Sequence, residues 1–148
     1  MPKYKQGQFK PSKPEKYKGD VNNIFYRSSW ELKTFSILDR NPNVIEWSSE
    51  EIIIPYISPK DNKIHRYFVD IFCKLKNKNG IIETLLIEIK PLVQTSPPIK
   101  GKRITKGFIN EVLTYAVNDA KWKAAQDYCD KRGWKFKIFT EKELGIKI

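Results

Sequence analysis

The 148-residue chain has two cysteines, one methionine and one histidine, and it is short of acid, with 17 Asp and Glu against 28 Lys and Arg. Cys73 and Cys129 stand far apart without Cys-x-x-Cys spacing, which excludes a disulfide framework and a zinc knuckle and predicts reduced, buried thiols. No segment approaches the ~20 consecutive apolar residues that span a bilayer. The first ten residues, MPKYKQGQFK, lack the apolar stretch of a secretory signal, so the cytoplasm is the expected compartment. A composition of 40% hydrophobic, 13% aromatic and 30% charged residues excludes a disordered tail protein and a fibrous repeat. A chain of this length fits one core that buries roughly 68–70% of its unfolded surface.

What is abundant is positive charge, a formal +11, and its placement carries the information. Residues 1–19 hold six lysines against Glu15 alone, and residues 100–106 hold Lys100, Lys102, Arg103 and Lys106 with no acid. Both stretches carry glycine or proline and little apolar content, so they read as mobile arms that neutralise phosphates and release counterions. Nucleic acid is the first partner these arms suggest; the competing role is plain solubility. Residues 1–20 are therefore expected to be a basic flexible arm and residues 21–148 a single domain.

Residues 26–39 predict a helix, with Ser28 or Ser29 near its start and Asn41-Pro42-Asn43 at its end. Residues 44–57, 64–75 and 81–90 are β-rich, and Asn77-Lys78-Asn79-Gly80 marks a hairpin between the last two. Residues 91–106, with Pro91, Pro97, Pro98 and Gly101, form a long irregular connection of the kind that carries function. A second helix is expected from about 108 to 131, stopped by Gly133, then a strand over 134–140 and a short helical turn from Glu141. The order is helix, strand, strand, strand, helix, strand, a mixed α/β chain without internal repeats.

Three acids lie where a purely structural protein would seldom put them. Glu31 has Phe35 at i+4 and Leu38 at i+7, which sets its carboxylate on the core-facing stripe of the first helix; pairing with Arg27 or exposure to solvent is the bland alternative. Asp70 interrupts Tyr67-Phe68-Val69-Asp70-Ile71-Phe72 on the face of Phe68 and Phe72, although aspartate is a poor strand former. In Leu86-Ile87-Glu88-Ile89-Lys90 the acid and the lysine share a face. The hairpin turn sets Asp70 opposite Glu88, give or take one residue. Two carboxylates about 5 Å apart repel by about 3 kcal/mol at an effective dielectric near 20, so positive charge should compensate. Lys90 supplies one charge. Oxygen ligands without a His or Cys cluster favour Mg²⁺ or Mn²⁺ over Zn²⁺ as a further one. An exposed salt-bridge cluster is the competing view, but it leaves Glu31 unexplained.

An acidic helix residue, an Asp on one strand and Glu-x-Lys on its hairpin partner, in an αβββαβ order, resemble the PD-(D/E)xK nuclease superfamily. Over nearly its full length the chain is more specifically similar to the head completion nucleases of T-even-type phages, themselves similar to a transposase nuclease subunit. The segments that carry this likeness are Phe25-Tyr26-Arg27-Ser28-Ser29-Trp30-Glu31, His65-Arg66-Tyr67-Phe68-Val69-Asp70, Ile87-Glu88-Ile89-Lys90-Pro91 and Asn118-Asp119-Ala120-Lys121-Trp122. The resemblance implies a restriction-endonuclease-like mixed sheet flanked by helices. It also implies that Asp70 and Glu88 ligate a metal, that Glu31 completes the site, and that Lys90 positions or activates the attacking water. Products with 5′-phosphate and 3′-hydroxyl ends follow from it as well. Val69 stands where the superfamily name has proline, a position that only shapes the strand. One metal or two is left open.

The chemistry would be in-line attack of water on a phosphodiester. Nearby carboxylates favour a charged lysine, so Lys90 is expected to stabilise the transition state rather than take a proton. Gln94, Lys100, Lys102, Arg103 and Lys106 follow the Glu-x-Lys strand, where a basic loop could clamp a DNA backbone. Lys121 could face the site and Trp122 the core, with a solvated lysine and an ordinary core tryptophan as the equal alternative. His65 reads as a strand residue with a satisfied hydrogen bond. No base-reading motif is visible, so little sequence specificity is expected. The partners implied are DNA and phage head or neck proteins, in the cytoplasm of an infected bacterial host or on the virion. Three functions compete: a Mg²⁺-dependent DNA nuclease of virion assembly, a structural head-tail joining protein that cuts little, and a transposition or junction-resolving endonuclease. The intact set Glu31, Asp70, Glu88 and Lys90 favours cutting.

Overall fold

A computed structural model describes residues 6–146. Its centre is a four-stranded sheet in the order β3 (Val44–Ser49), β6 (Ile71–Lys76), β7 (Ile82–Ile89) and β8 (Lys135–Phe139). The first three strands are antiparallel and β8 runs parallel to β7. Parallel pairing needs a crossover, and the 25-residue helix α2 (Lys106–Asp130) supplies it. Helix α1 (Ser29–Arg40) covers the opposite face. This is the αβββαβ core expected from the sequence, a mixed sheet between helices.

Side-chain alternation on β6 and β7 divides the interior in two. Ile71, Cys73, Leu85, Ile87 and Ile89 pack with Phe35, Leu38 and Trp47 on the α1 side. Phe72 and Leu86 pack with Trp122, Ala125 and Cys129 on the α2 side. Both cysteines are free and buried, and burial pushes the Cys73 thiol up to about 12 and that of Cys129 to about 11. Neither forms a reactive thiolate near neutral pH.

The β6–β7 turn follows the sequence closely. Asn77 Oδ1 accepts the amides of Asn79 and Ile81, and Gly80 takes a φ of 77° that glycine adopts freely. The pairing Ile71↔Ile87 and Phe72↔Leu86, continued by one residue, sets Asp70 across from Glu88.

Two expectations are corrected. The stretches 44–57 and 64–75 are each broken, because together they form one long antiparallel ribbon that bends midway. Its base is β3 with β6, and its distal half is a separate hairpin of β4 (Ile53–Ile57) with β5 (Ile64–Phe68). At the bend Glu50, Glu51 and Ile52 on one side oppose only Val69 and Asp70 on the other. Glu50 N–H donates to the Asp70 carbonyl and Val69 N–H to that of Ile52. Glu50 takes a φ of 57° there. One extra residue in a strand pair bends and twists it, and the strand-averse Asp70 sits at that point.

The second correction concerns residues 6–20, expected to be part of a flexible arm, which instead pack on the core; residues 1–5 of that arm lie outside the described residues. β1 (Gly7–Gln8) pairs with β2 (Phe25–Tyr26), and Phe9 and Tyr17 are buried against Trp47. Lys16 is buried, and its Nζ donates to the carbonyls of Leu38, Asp39 and Asn41 at 2.8–2.9 Å. These carbonyls at the α1 C-terminus lack helical partners and attract a cation. The buried Asp39 carboxylate accepts the amides of Ser12 and Lys13. A lysine-rich composition resembles a solvated arm only until one ammonium finds a helix end.

Candidate active site

The ribbon bend, the end of β7 and the first turn of α1 meet at a cleft of about 340 Å³, lined by Glu31, Arg66, Tyr67, Phe68, Asp70, Glu88, Ile89, Lys90, Asn118 and Lys121. The four residues expected from the sequence, Glu31, Asp70, Glu88 and Lys90, therefore share one cavity.

Glu31 owes its position to the helix start. Ser28 caps α1, its oxygen accepting the Glu31 amide at 3.2 Å and its hydroxyl lying 3.4 Å from Glu31 Oε1. Arg27 pairs with Glu50 instead of Glu31. Half-buried, Glu31 has its carboxyl pushed up by desolvation and by the Glu50 charge, against the Arg27 amide and the Ser28 hydroxyl.

Asp70 Oδ2 accepts the Ile89 amide at 2.8 Å, across from the strand end that carries Glu88. Glu88 is 5% exposed, and its Oε2 accepts Trp122 Nε1 at 3.1 Å and lies 4.0 Å from Lys90 Nζ. Burial first, then the Glu88 charge and a hydrogen bond to Glu88, drive the Asp70 carboxyl well above the usual range. The Asp70 carboxyl thus favours its neutral form unless a positive charge is brought to it. The backbone beyond them is tied down, since Lys90 N–H donates to the Phe139 carbonyl of β8 at 3.0 Å.

A hard cation suits the oxygens of the part-buried Asp70 and the buried Glu88, beside which Lys90 is the nearest cation, 4.0 Å from Glu88. The expected set of three carboxylate ligands is not preassembled. Among the described residues no three Asp, Glu, His or Cys side chains lie close enough to hold one ion. Glu31 stands back in the same cleft, where its charge still reaches Asp70.

Helix α2 forms the opposite wall. Asn118, Lys121 and Trp122 fall at i, i+3 and i+4, so one helix face meets the site. Lys121 Nζ lies 5.6 Å from the centre of the Tyr67 ring and 5.8 Å from that of Tyr56. Trp122 packs in the core, and its indole N–H also donates to Glu88, a contact neither reading of the sequence included. Tyr67 is almost fully buried, and among the described residues no group meets its hydroxyl in hydrogen-bond geometry; burial and the Glu88 charge push its ionisation up.

The basic loop stands apart. Gln94, Lys100, Lys102, Arg103 and Lys106 are exposed and none lines the cleft. His65 is paired with Asp61 at 2.8 Å, away from the site, a satisfied strand histidine as expected. Arg66, Tyr67 and Phe68 line the cleft without having been singled out by the sequence pattern. Strict alternation sets Tyr67 on the far side from Asp70, and only the bend brings both to one cavity. Asn118 lies in a segment that carries the family likeness, and its i, i+3 spacing to Lys121 was the signal that could have found it.

Comparison with known proteins identifies the family. Residues 41–141, which include Asp70, Glu88 and Lys90 but not Glu31, match the family described as TnsA-like endonuclease N terminal. The chain is also 45% identical over 148 residues to the Head completion nuclease of Enterobacteria phage T4, covering 95% of this chain and 96% of that protein. The chain thus belongs to the TnsA-like endonuclease N-terminal family and is a nuclease.

Proposed function

We propose that the protein is a divalent-metal-dependent DNA nuclease that acts in phage head completion and head-tail joining by cleaving packaged DNA. The observation that carries the reading is the part-buried Asp70 facing the buried Glu88, with Lys90 Nζ 4.0 Å from Glu88. Asp70 and Glu88 would hold Mg²⁺ or Mn²⁺, with Glu31 reaching it through water. When bound, the ion would polarise the phosphoryl oxygen and lower the pKa of water.

The chain's own groups do the rest. The Ile89 amide fixes one Asp70 oxygen and the Trp122 indole fixes one Glu88 oxygen, so both carboxylates are oriented before a ligand arrives. Lys90 Nζ offsets charge that develops on the phosphoryl oxygens. Lys121, held over two tyrosine rings, contacts a phosphate of the same strand. Gln94, Lys100, Lys102, Arg103 and Lys106 engage the duplex backbone further out without reading bases. The products are 5′-phosphate and 3′-hydroxyl ends.

The T4 relative's name supports the assembly role. Head or neck proteins are then the protein partners and the infected host's cytoplasm the working compartment. Among the described residues, no helix is long and apolar enough to cross a membrane. The test is plasmid nicking with Mg²⁺: the wild type converts supercoiled DNA to open circles, EDTA abolishes the conversion, and full activity of Asp70→Asn would overturn the assignment. In infection, Lys90→Ala should accumulate DNA-filled, tail-less heads, whereas full rescue by that variant would mean joining without cleavage.

A further inference from the structure

The β4–β5 hairpin has the wrong face in water. Its outward cross-strand pairs are Ile53↔Phe68, Pro55↔Arg66 and Ile57↔Ile64. Of these, Ile57 is 63% exposed, Ile64 74% and Phe68 42%. The alternate pair Ile54↔Tyr67 is buried toward α2. A solvated antiparallel ribbon normally turns polar residues outward, and contiguous exposed apolar surface of this kind marks an interaction site.

Two features identify its occupant. Arg66 and Phe68 belong both to this face and to the wall of the cleft, so a strand lying in the cleft runs on along the hairpin. The rim is basic: Lys60, Lys63 and Arg66 are exposed, and the acid among them, Asp61, is engaged with His65. Arg66 lies over the Phe68 ring at 5.4 Å, and among the described residues no carboxylate pairs with it. Isoleucine, phenylalanine and proline carry no donors to read base edges. They are the side chains that press between base steps from the minor groove, while neighbouring cations hold the phosphates.

Building on the nuclease reading above, we propose that the β4–β5 hairpin is a minor-groove arm. Ile57, Ile64 and Phe68 press on the base steps beside the cleavage position, and Arg66, Lys60 and Lys63 hold the flanking phosphates. The arm grips and distorts duplex DNA without regard to sequence.

The test measures binding of a short duplex carrying 2-aminopurine, in the Asp70→Asn background so that the DNA stays intact. The arm residues are changed to Ile57→Ser with Ile64→Ser, both exposed and outside the core. The parent should raise 2-aminopurine fluorescence, and the minor-groove ligand netropsin should compete. The serine pair should bind about tenfold more weakly and give no fluorescence rise, with an unchanged thermal midpoint. Unchanged affinity in the serine pair overturns the arm. So does sedimentation showing that the parent is a dimer which the serine pair dissolves, since the face would then be a contact between copies. Nicking by Asp70→Asn, by contrast, would sink the underlying nuclease reading and leave the binding result to be judged separately.

Discussion

At the scale of single residues, the upward shift of the Asp70 carboxyl beside Glu88 has a measurable consequence. A carboxyl whose folded-state ionisation is raised stabilises the fold fully below the ordinary aspartate range, and that contribution is lost as pH rises through the raised value. In metal-free protein, Asp70→Asn should therefore have a higher thermal midpoint than the wild type near neutral pH. The gap should close as pH falls below about 4, where both states of the wild type hold the proton. Adding Mg²⁺ should raise the wild-type midpoint and leave the variant unmoved, which a calorimetric pair of scans checks. Trp122→Phe keeps an aromatic ring, smaller than the indole, but removes the donor to Glu88. Loss of an outer partner of this kind costs about 10- to 100-fold in metal affinity or activity, so the Mg²⁺ concentration for half-maximal nicking should rise while the fold survives.

Elements make a different demand, that each end be satisfied. Lys16 closes three carbonyls at the end of α1, and Lys16→Met removes that donor from Leu38 and Asp39 while Asn41 keeps the Val44 amide. Urea unfolding should show a loss of about 2 kcal/mol, within the range for buried polar groups left unpaired. Legibility in the sequence divides along the same line. The Asn77–Gly80 turn and the Asp70–Glu88 register were readable because a short turn and a period of two leave little freedom. The α1 cap and the inward stripe of Glu31, Phe35 and Leu38 were readable because helix periodicity is local. The ribbon bend was not, because a bulge depends on which strand lies opposite. Tyr67 was missed for that reason. Lys16 was missed because its partners lie some twenty residues away in the chain.

The whole molecule adds its charge to these local devices. If the loop after β7 grips a duplex backbone, replacing Lys100, Lys102 and Arg103 by glutamine should weaken binding on all sequences alike. The slope of log affinity against log salt should become shallower by about 2 to 3, close to 0.9 for each phosphate no longer neutralised, and a filter-binding titration from low to moderate salt reads it. Cleavage of a saturating substrate should change far less, because none of the three lines the cleft.

The parallel pairing of β7 with β8 also sets when the enzyme comes alive. Lys90 is tethered to Phe139, a partner translated some fifty codons after it. A nascent chain released before residue 139 would carry every proposed catalytic side chain and still lack the strand that steadies them. Destructive chemistry is thereby withheld until β8 has been made, and truncation ahead of residue 134 should yield an inert product.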